Sequence, residues 1–169
     1  MTESLVIMGV AGCGKSSLGA AVAQATGLRL VEGDDYHSPE NRSKMSQGIA
    51  LTDSDRHGWL TTLSQQLSAH PEGLVLTCSA LKRAYRERLR LAAPGLRFVF
   101  LDISREQAQA RVALRAPLHF FSSSLVDSQF ATLESPLGEP GVLRVNAQSS
   151  LAQLQSEVSA WLLTDKANI

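Results

Sequence analysis

Two cysteines, Cys13 and Cys78, are all that this 169-residue chain holds. Two thiols are too few for a disulfide framework or a cysteine metal cluster, and such sparing use fits a reduced, cytoplasmic setting. Net charge is also lacking, because sixteen basic and sixteen acidic residues cancel. A balanced chain has no overall field to draw in a polyanion such as nucleic acid or an anionic membrane surface. No apolar run approaches the roughly 20 residues that span a bilayer. The first eight residues carry no basic segment of the kind that opens a secretory signal. Internal repeats and low-complexity tracts are absent. The remaining composition, 44% hydrophobic and 19% charged, is ordinary folded material. The length suits one domain, residues 1–169, with enough buried surface for a core that needs no staples.

What the chain does have begins at Gly9. Gly9-Val10-Ala11-Gly12-Cys13-Gly14-Lys15-Ser16 fits the phosphate-binding pattern G-x-x-x-x-G-K-S/T. Leu5–Met8 before it reads as a buried strand, and Lys15–Thr26 after it as a helix ended by Gly27. Strand, glycine loop and helix are the context that the chemistry needs. Glycines let the backbone curl until N–H groups face phosphate oxygens, and the helix N-terminus adds partial positive charge. The expected nucleotide-binding set is Gly9, Val10, Ala11, Gly12, Cys13, Gly14, Lys15, Ser16 and Ser17. Within it, Lys15 reaches the β/γ-phosphates of ATP and Ser16 holds Mg²⁺. Cys13 sits near a helix N-terminus, which lowers a thiol's pKa. Its oxidation is therefore one expectation, and an inert small side chain is the other.

Strands alternate with helices along the rest of the chain. Strands are expected at 28–31, 74–77, 96–101 and 142–145. Helices are expected from Pro39 to about Gln47, up to about Ala69, up to about Leu91, over about 106–114 and 124–133, and over 150–163. This order predicts an α/β fold of the P-loop kinase type, a five-stranded parallel sheet with helices on both faces. Two long connections are expected to be mobile. Residues 37–58 form an acceptor-binding region and residues 111–130 a lid. In open α/β sheets the functional groups gather at the carboxyl ends of strands. The second strand ends at Glu32-Gly33-Asp34-Asp35, facing the glycine loop. Glu32 is a candidate for holding Mg²⁺ through water, with an exposed strand-end acid as the other reading. Asp34 is a candidate proton acceptor, with a turn aspartate as the other reading. Arg111 and Arg115, one helical turn apart, enter the lid and are expected to reach the nucleotide phosphates on closure.

Several stretches resemble one family. They are Gly33-Asp34-Asp35-Tyr36-His37 with Asn41 and Lys44-Met45, then Leu51-Thr52-Asp53-Ser54-Asp55-Arg56 with Trp59. The run Cys78-Ser79-Ala80-Leu81-Lys82 with Tyr85-Arg86 follows, and then His119-Phe120 with Ser128-Gln129-Phe130 and Leu133-Glu134. Together they resemble the gluconokinases, P-loop kinases related in fold to shikimate kinase and the nucleoside monophosphate kinases. The C-S-A-L-K and S-Q-F-x-x-L-E runs are far more specific than the glycine loop. Two departures are visible. Glu32 stands where the family usually has aspartate, and the Arg115 to His119 spacing is one residue longer than the family's.

The resemblance implies an ATP- and Mg²⁺-dependent enzyme that phosphorylates D-gluconate to 6-phospho-D-gluconate by direct in-line transfer to the 6-hydroxyl. It also implies a cytoplasmic homodimer. On this reading Asp34, Lys15 and Arg115 are catalytic. Asp34, His37, Arg42, Arg56, Lys82, Arg86 and His119 bind the acceptor, a carboxylate for which guanidinium groups are suited. Alternatives are a shikimate-like or nucleoside kinase and a catalytically silent nucleotide-binding module. A GTP switch is disfavoured, since no Asn-Lys-x-Asp run occurs. The basic cluster Lys82, Arg83, Arg86, Arg88 and Arg90 reads as a solvated helix face rather than a nucleic-acid patch, with Arg83 and Arg90 expected to turn away from Arg86.

Overall fold

The computed structural model describes residues 2–115 and 123–167. Its strands are β1 (Leu5–Met8), β2 (Arg29–Glu32), β3 (Leu74–Thr77), β4 (Arg97–Asp102) and β5 (Val142–Asn146). They form one parallel sheet in the order β2-β3-β1-β4-β5, with β1 at its centre. β2 and β4 each run one residue beyond the expected end, because Glu32 pairs with Thr77 and Asp102 with Asn146. The helices are α1 (Lys15–Thr26), α2 (Pro39–Ser46), α3 (Asp53–Ala69), α4 (Arg83–Ala92), α5 (Arg105–Arg115), α6 (Ser123–Thr132) and α7 (Leu151–Ala167).

The central strands β1, β3 and β4 are buried on both sides, as a sheet covered by helices requires, while the edge strands β2 and β5 carry exposed positions. Leu5, Ile7, Val75, Val99 and Leu101 pack on one face with Leu18 and Val22 of α1, Ala108 and Val112 of α5, and Leu154 and Val158 of α7. Val6, Met8, Leu74, Leu76, Phe98 and Phe100 pack on the other with Trp59 and Leu63 of α3 and Tyr85 and Leu89 of α4. β1 therefore lies between two layers, and the carboxyl ends of β1, β2 and β3 open on one crevice, where such sheets bind ligands.

Residues 37–58 contain α2 and the first turns of α3. Ser38 accepts from Asn41 N–H at the start of α2, with Pro39 at its first position. Thr52 and Asp55 form a reciprocal capping box at the start of α3. Of the expected lid, residues 111–115 end α5 and 123–130 lie in α6. Residues 116–122 between them, with His119, lie outside the described residues.

Candidate active site

The glycine loop hangs from the end of β1. Gly12 has φ 82°, and a Cβ there would meet the Ala108 carbonyl oxygen at 2.9 Å, so only glycine lets the loop pass α5. Lys15 curls back over the loop, its Nζ donating to the carbonyls of Gly9 (3.0 Å) and Val10 (3.1 Å). Not every loop amide faces outward. Gly9 N–H donates to Ser79, Cys13 N–H to Val10, and Ala11 N–H to the side chain of Gln129. The amides of Lys15, Ser16 and Ser17 head α1, where a helix has no carbonyl of its own to offer them. Arg111 supports the loop from behind, donating to the carbonyls of Gly12 (3.3 Å), Cys13 (3.3 Å) and Ala147 (2.8 Å). The Cys13 side chain is buried in the core beneath the loop. A thiol sealed from solvent fits the inert alternative of the two readings.

The acidic strand end comes close because of Gly33. A Cβ there would lie 2.2 Å from the Thr77 carbonyl oxygen, so a side chain would push β2 away from β3. Glu32 Oε2 accepts from Ser16 Oγ (3.1 Å) and from Thr77 Oγ1 (2.6 Å). After it the chain makes a 3-10 turn, Gly33–Tyr36, which presents Asp34. Two side chains brace that turn. Trp59 Nε1 donates to the Gly33 carbonyl (2.7 Å), and Arg42 Nη2 donates to the Asp34 carbonyl (3.0 Å).

His37 stacks on Trp59, with ring centroids 4.2 Å apart. Asn41 Nδ2 donates to the Asp55 carbonyl and approaches His37 Nδ1 at 3.4 Å, so Nδ1 is the acceptor and the ring proton sits on Nε2. Nε2 lies 3.8 Å from Asp34 Oδ1. Burial, then the charges of Arg42 and Arg56, pull the His37 pKa down from 6.5 to about 4. The imidazole is thus a neutral donor at neutral pH. Arg56 is buried beside it, its Nη1 donating to Tyr85 Oη (3.2 Å), and Tyr85 in turn donates to Asp53.

These groups line two clefts. One holds Ala11, Gly12, Gly14, Lys15, Ser16, Ser17, Asp34 and Arg115. The other holds Lys15, Asp34, His37, Arg56, Trp59 and Gln129 among its lining. Lys15 and Asp34 belong to both.

Three expected acceptor residues lie outside the lining of the second cleft: Arg42, whose guanidinium is on the Asp34 carbonyl, Lys82 and Arg86. Lys82 is paired with Asp53 at 2.9 Å, outside the lining of the cleft. Arg86 is fully buried and faces away from it. Its guanidinium holds Glu139 (2.6 Å) and donates to the carbonyls of Ala80 (2.7 Å), Leu81 (3.2 Å) and Glu134 (2.9 Å). Nor does Arg90 turn away from Arg86. Four residues make about one helical turn, so both meet Glu139, Arg90 at 2.9 Å. The Arg86 contacts hold Ala80 in the left-handed region (φ 47°), next to Ser79, which lines the second cleft.

Gln129, Ser79, Thr77 and the bracing role of Trp59 were missed among the candidates. Gln129, Ser79 and Trp59 each lay in a family-like stretch, which was the available signal. Thr77 carried none beyond its place at a strand end.

A parallel sheet, a phosphate loop on its central strand and two clefts meeting at one lysine and one aspartate define a P-loop kinase. A family model described as an AAA domain matches residues 5–140. The chain belongs to the gluconokinase family. It is similar to the thermosensitive gluconokinase of Escherichia coli strain K12, 37% identical over 98% of this chain and 90% of that protein. It is 44% identical to the gluconokinase of Gluconobacter oxydans strain 621H, over 85% and 82% of the two chains. Among solved structures, a gluconokinase from Sinorhizobium meliloti 1021 superposes with a TM-score of 0.90 at 46% identity, covering 98% of this chain and 94% of that one.

Proposed function

We propose that the chain transfers the γ-phosphoryl group of ATP, directly and in line, to the 6-hydroxyl of D-gluconate. The observation that carries this reading is that Lys15 and Asp34 line both clefts, which is where a transferred group must pass. Family membership supplies the acceptor.

Phosphoryl transfer asks a protein mainly for positioning and charge neutralisation. The loop amides and Lys15 hold the phosphates. Asp34 orients the acceptor hydroxyl and takes its proton. Arg56 offers a guanidinium to the acceptor carboxylate, with Arg42 nearby, and neutral His37 donates Nε2–H to an acceptor oxygen. Arg115, exposed at the rim of the nucleotide cleft, neutralises the transferring group when residues 111–130 close as a lid, which also brings in His119. Ser16 Oγ and Glu32 are oxygen donors within one hydrogen bond of each other, a set that suits a hard cation. They would hold Mg²⁺, Glu32 through water, and the ion would neutralise charge on the β- and γ-phosphate oxygens. The working form is read, from the family resemblance, as a cytoplasmic homodimer of a one-domain chain. No helix among the described residues is long and apolar enough to cross a membrane.

The test is ATP consumption against a panel of sugar acids, shikimate and nucleosides. Gluconate is expected to be the acceptor that is turned over. An idle gluconate reaction beside an active one with another acceptor would sink the proposal. In the same assay Asp34→Asn is expected to keep nucleotide affinity within about twofold and to lose at least about 100-fold in turnover. A nearly unchanged rate would remove Asp34 from its role.

A further inference from the structure

α6 reaches the glycine loop through one side chain. Gln129 Oε1 accepts the Ala11 N–H at 2.7 Å, across 118 positions of sequence. A backbone N–H needs an acceptor, so this bond decides which end of the amide meets the loop. Oε1 lies on Ala11, and Nε2, carrying two N–H donors, is left for other partners. Gln129 is half-buried and lines the acceptor cleft with Asp34, His37 and Arg56. Ala11 lines the nucleotide cleft. Its neighbours in the loop are Val10, whose carbonyl takes Lys15 Nζ, and Gly12, whose carbonyl takes Arg111. The bond therefore fixes the piece of backbone that seats both cations.

We infer that Gln129 is a bridging residue. Its Oε1 holds the phosphate loop at Ala11 while its Nε2 donates to an oxygen of the polyhydroxy acid in the other cleft. An acceptor built of hydroxyls and a carboxylate needs donors, and Gln129 adds an uncharged one to His37 and Arg56. Each ligand then finds the shared side chain already ordered by the other, and coupling of this kind is reciprocal. The acceptor half of this inference rests on the gluconate reading. The loop half does not.

Two substitutions separate the halves. Gln129→Glu keeps an acceptor for Ala11 N–H and removes the donor. Gln129→Met removes both while keeping the length. ADP affinity, measured by titration calorimetry without any acceptor, reads the loop. The gluconate KM and kcat read the donor. Gln129→Glu is expected to leave ADP affinity within about twofold and to raise the gluconate KM at least about tenfold. Gln129→Met is expected to raise the gluconate KM and also to weaken ADP at least about threefold. A wild-type gluconate KM in Gln129→Glu overturns the donor role, and unchanged ADP affinity in Gln129→Met overturns the tether. Equal losses in both variants would mark a merely structural residue and also overturn the proposal. Failure of wild-type protein to use gluconate is a different result. It removes the acceptor reading and leaves the ADP comparison interpretable.

Discussion

His37 takes its chemistry from its neighbours. Stacked on Trp59 and flanked by Arg42 and Arg56, it takes up the second, charging proton only near pH 4. The unfolded ring binds one near 6.5. Between those values the unfolded chain carries more protons, so this ring lowers folding stability as pH falls from 6.5 towards 4 and has no such effect above. Urea unfolding at pH 7 and pH 5 should therefore show a smaller acid-side loss in His37→Gln than in the wild type. Two arginines show what the sequence displays at this scale and what it hides. Arg56 and Arg86 both lie in family-like stretches, yet one lines a cleft and the other is sealed inside. Residue type says that each wants an anion. Which anion it finds depends on helix phase and, for Arg86, on a glutamate 53 positions away.

At the scale of elements, α3 carries two residues that line the second cleft, Arg56 and Trp59. Its first turn is held by the Thr52–Asp55 capping box, and Lys44 of α2 pairs with Asp55 at 2.9 Å. The Thr52 amide and then Lys44 keep the Asp55 carboxyl near pKa 2, so the cap stays ionised at any ordinary pH. Thr52→Ala should cost about 1 kcal/mol in urea unfolding. It should also raise the gluconate KM more than the ATP KM, since the frayed turn lies next to Arg56. Helices such as this one were legible because caps, breakers and apolar spacing are local signals. The 3-10 turn that presents Asp34 was not. It depends on Gly33 fitting against the Thr77 carbonyl and on a distant tryptophan N–H.

At the scale of the whole molecule, the alternation of strand and helix was enough to anticipate a five-stranded parallel sheet, while the strand order β2-β3-β1-β4-β5 depends on pairings between distant segments that no local signal carries. The cross-links are of the same kind. Arg86 and Glu139 are both nearly sealed from solvent and tie α4 to the segment before β5. Removing one member of a buried ion pair leaves the other charge stranded, so Arg86→Met should lose about 3–5 kcal/mol in chemical denaturation. Arg86 first, and then Arg90, hold the Glu139 carboxyl below the usual range. That contribution is present at neutral pH and disappears as pH falls through the lowered value.

The bond between Gln129 and Ala11 also sets a clock. The loop's own residues leave the ribosome early, but the acceptor for the Ala11 amide is 118 residues behind. At about 5–20 residues per second, that is a delay of roughly 6 to 24 s. During that interval β3, Ser79, β4 and Arg111 reach the loop first, and the Ala11 amide still faces water. Nucleotide arriving during synthesis meets an untethered loop, and the tethered one exists only after α6 has docked.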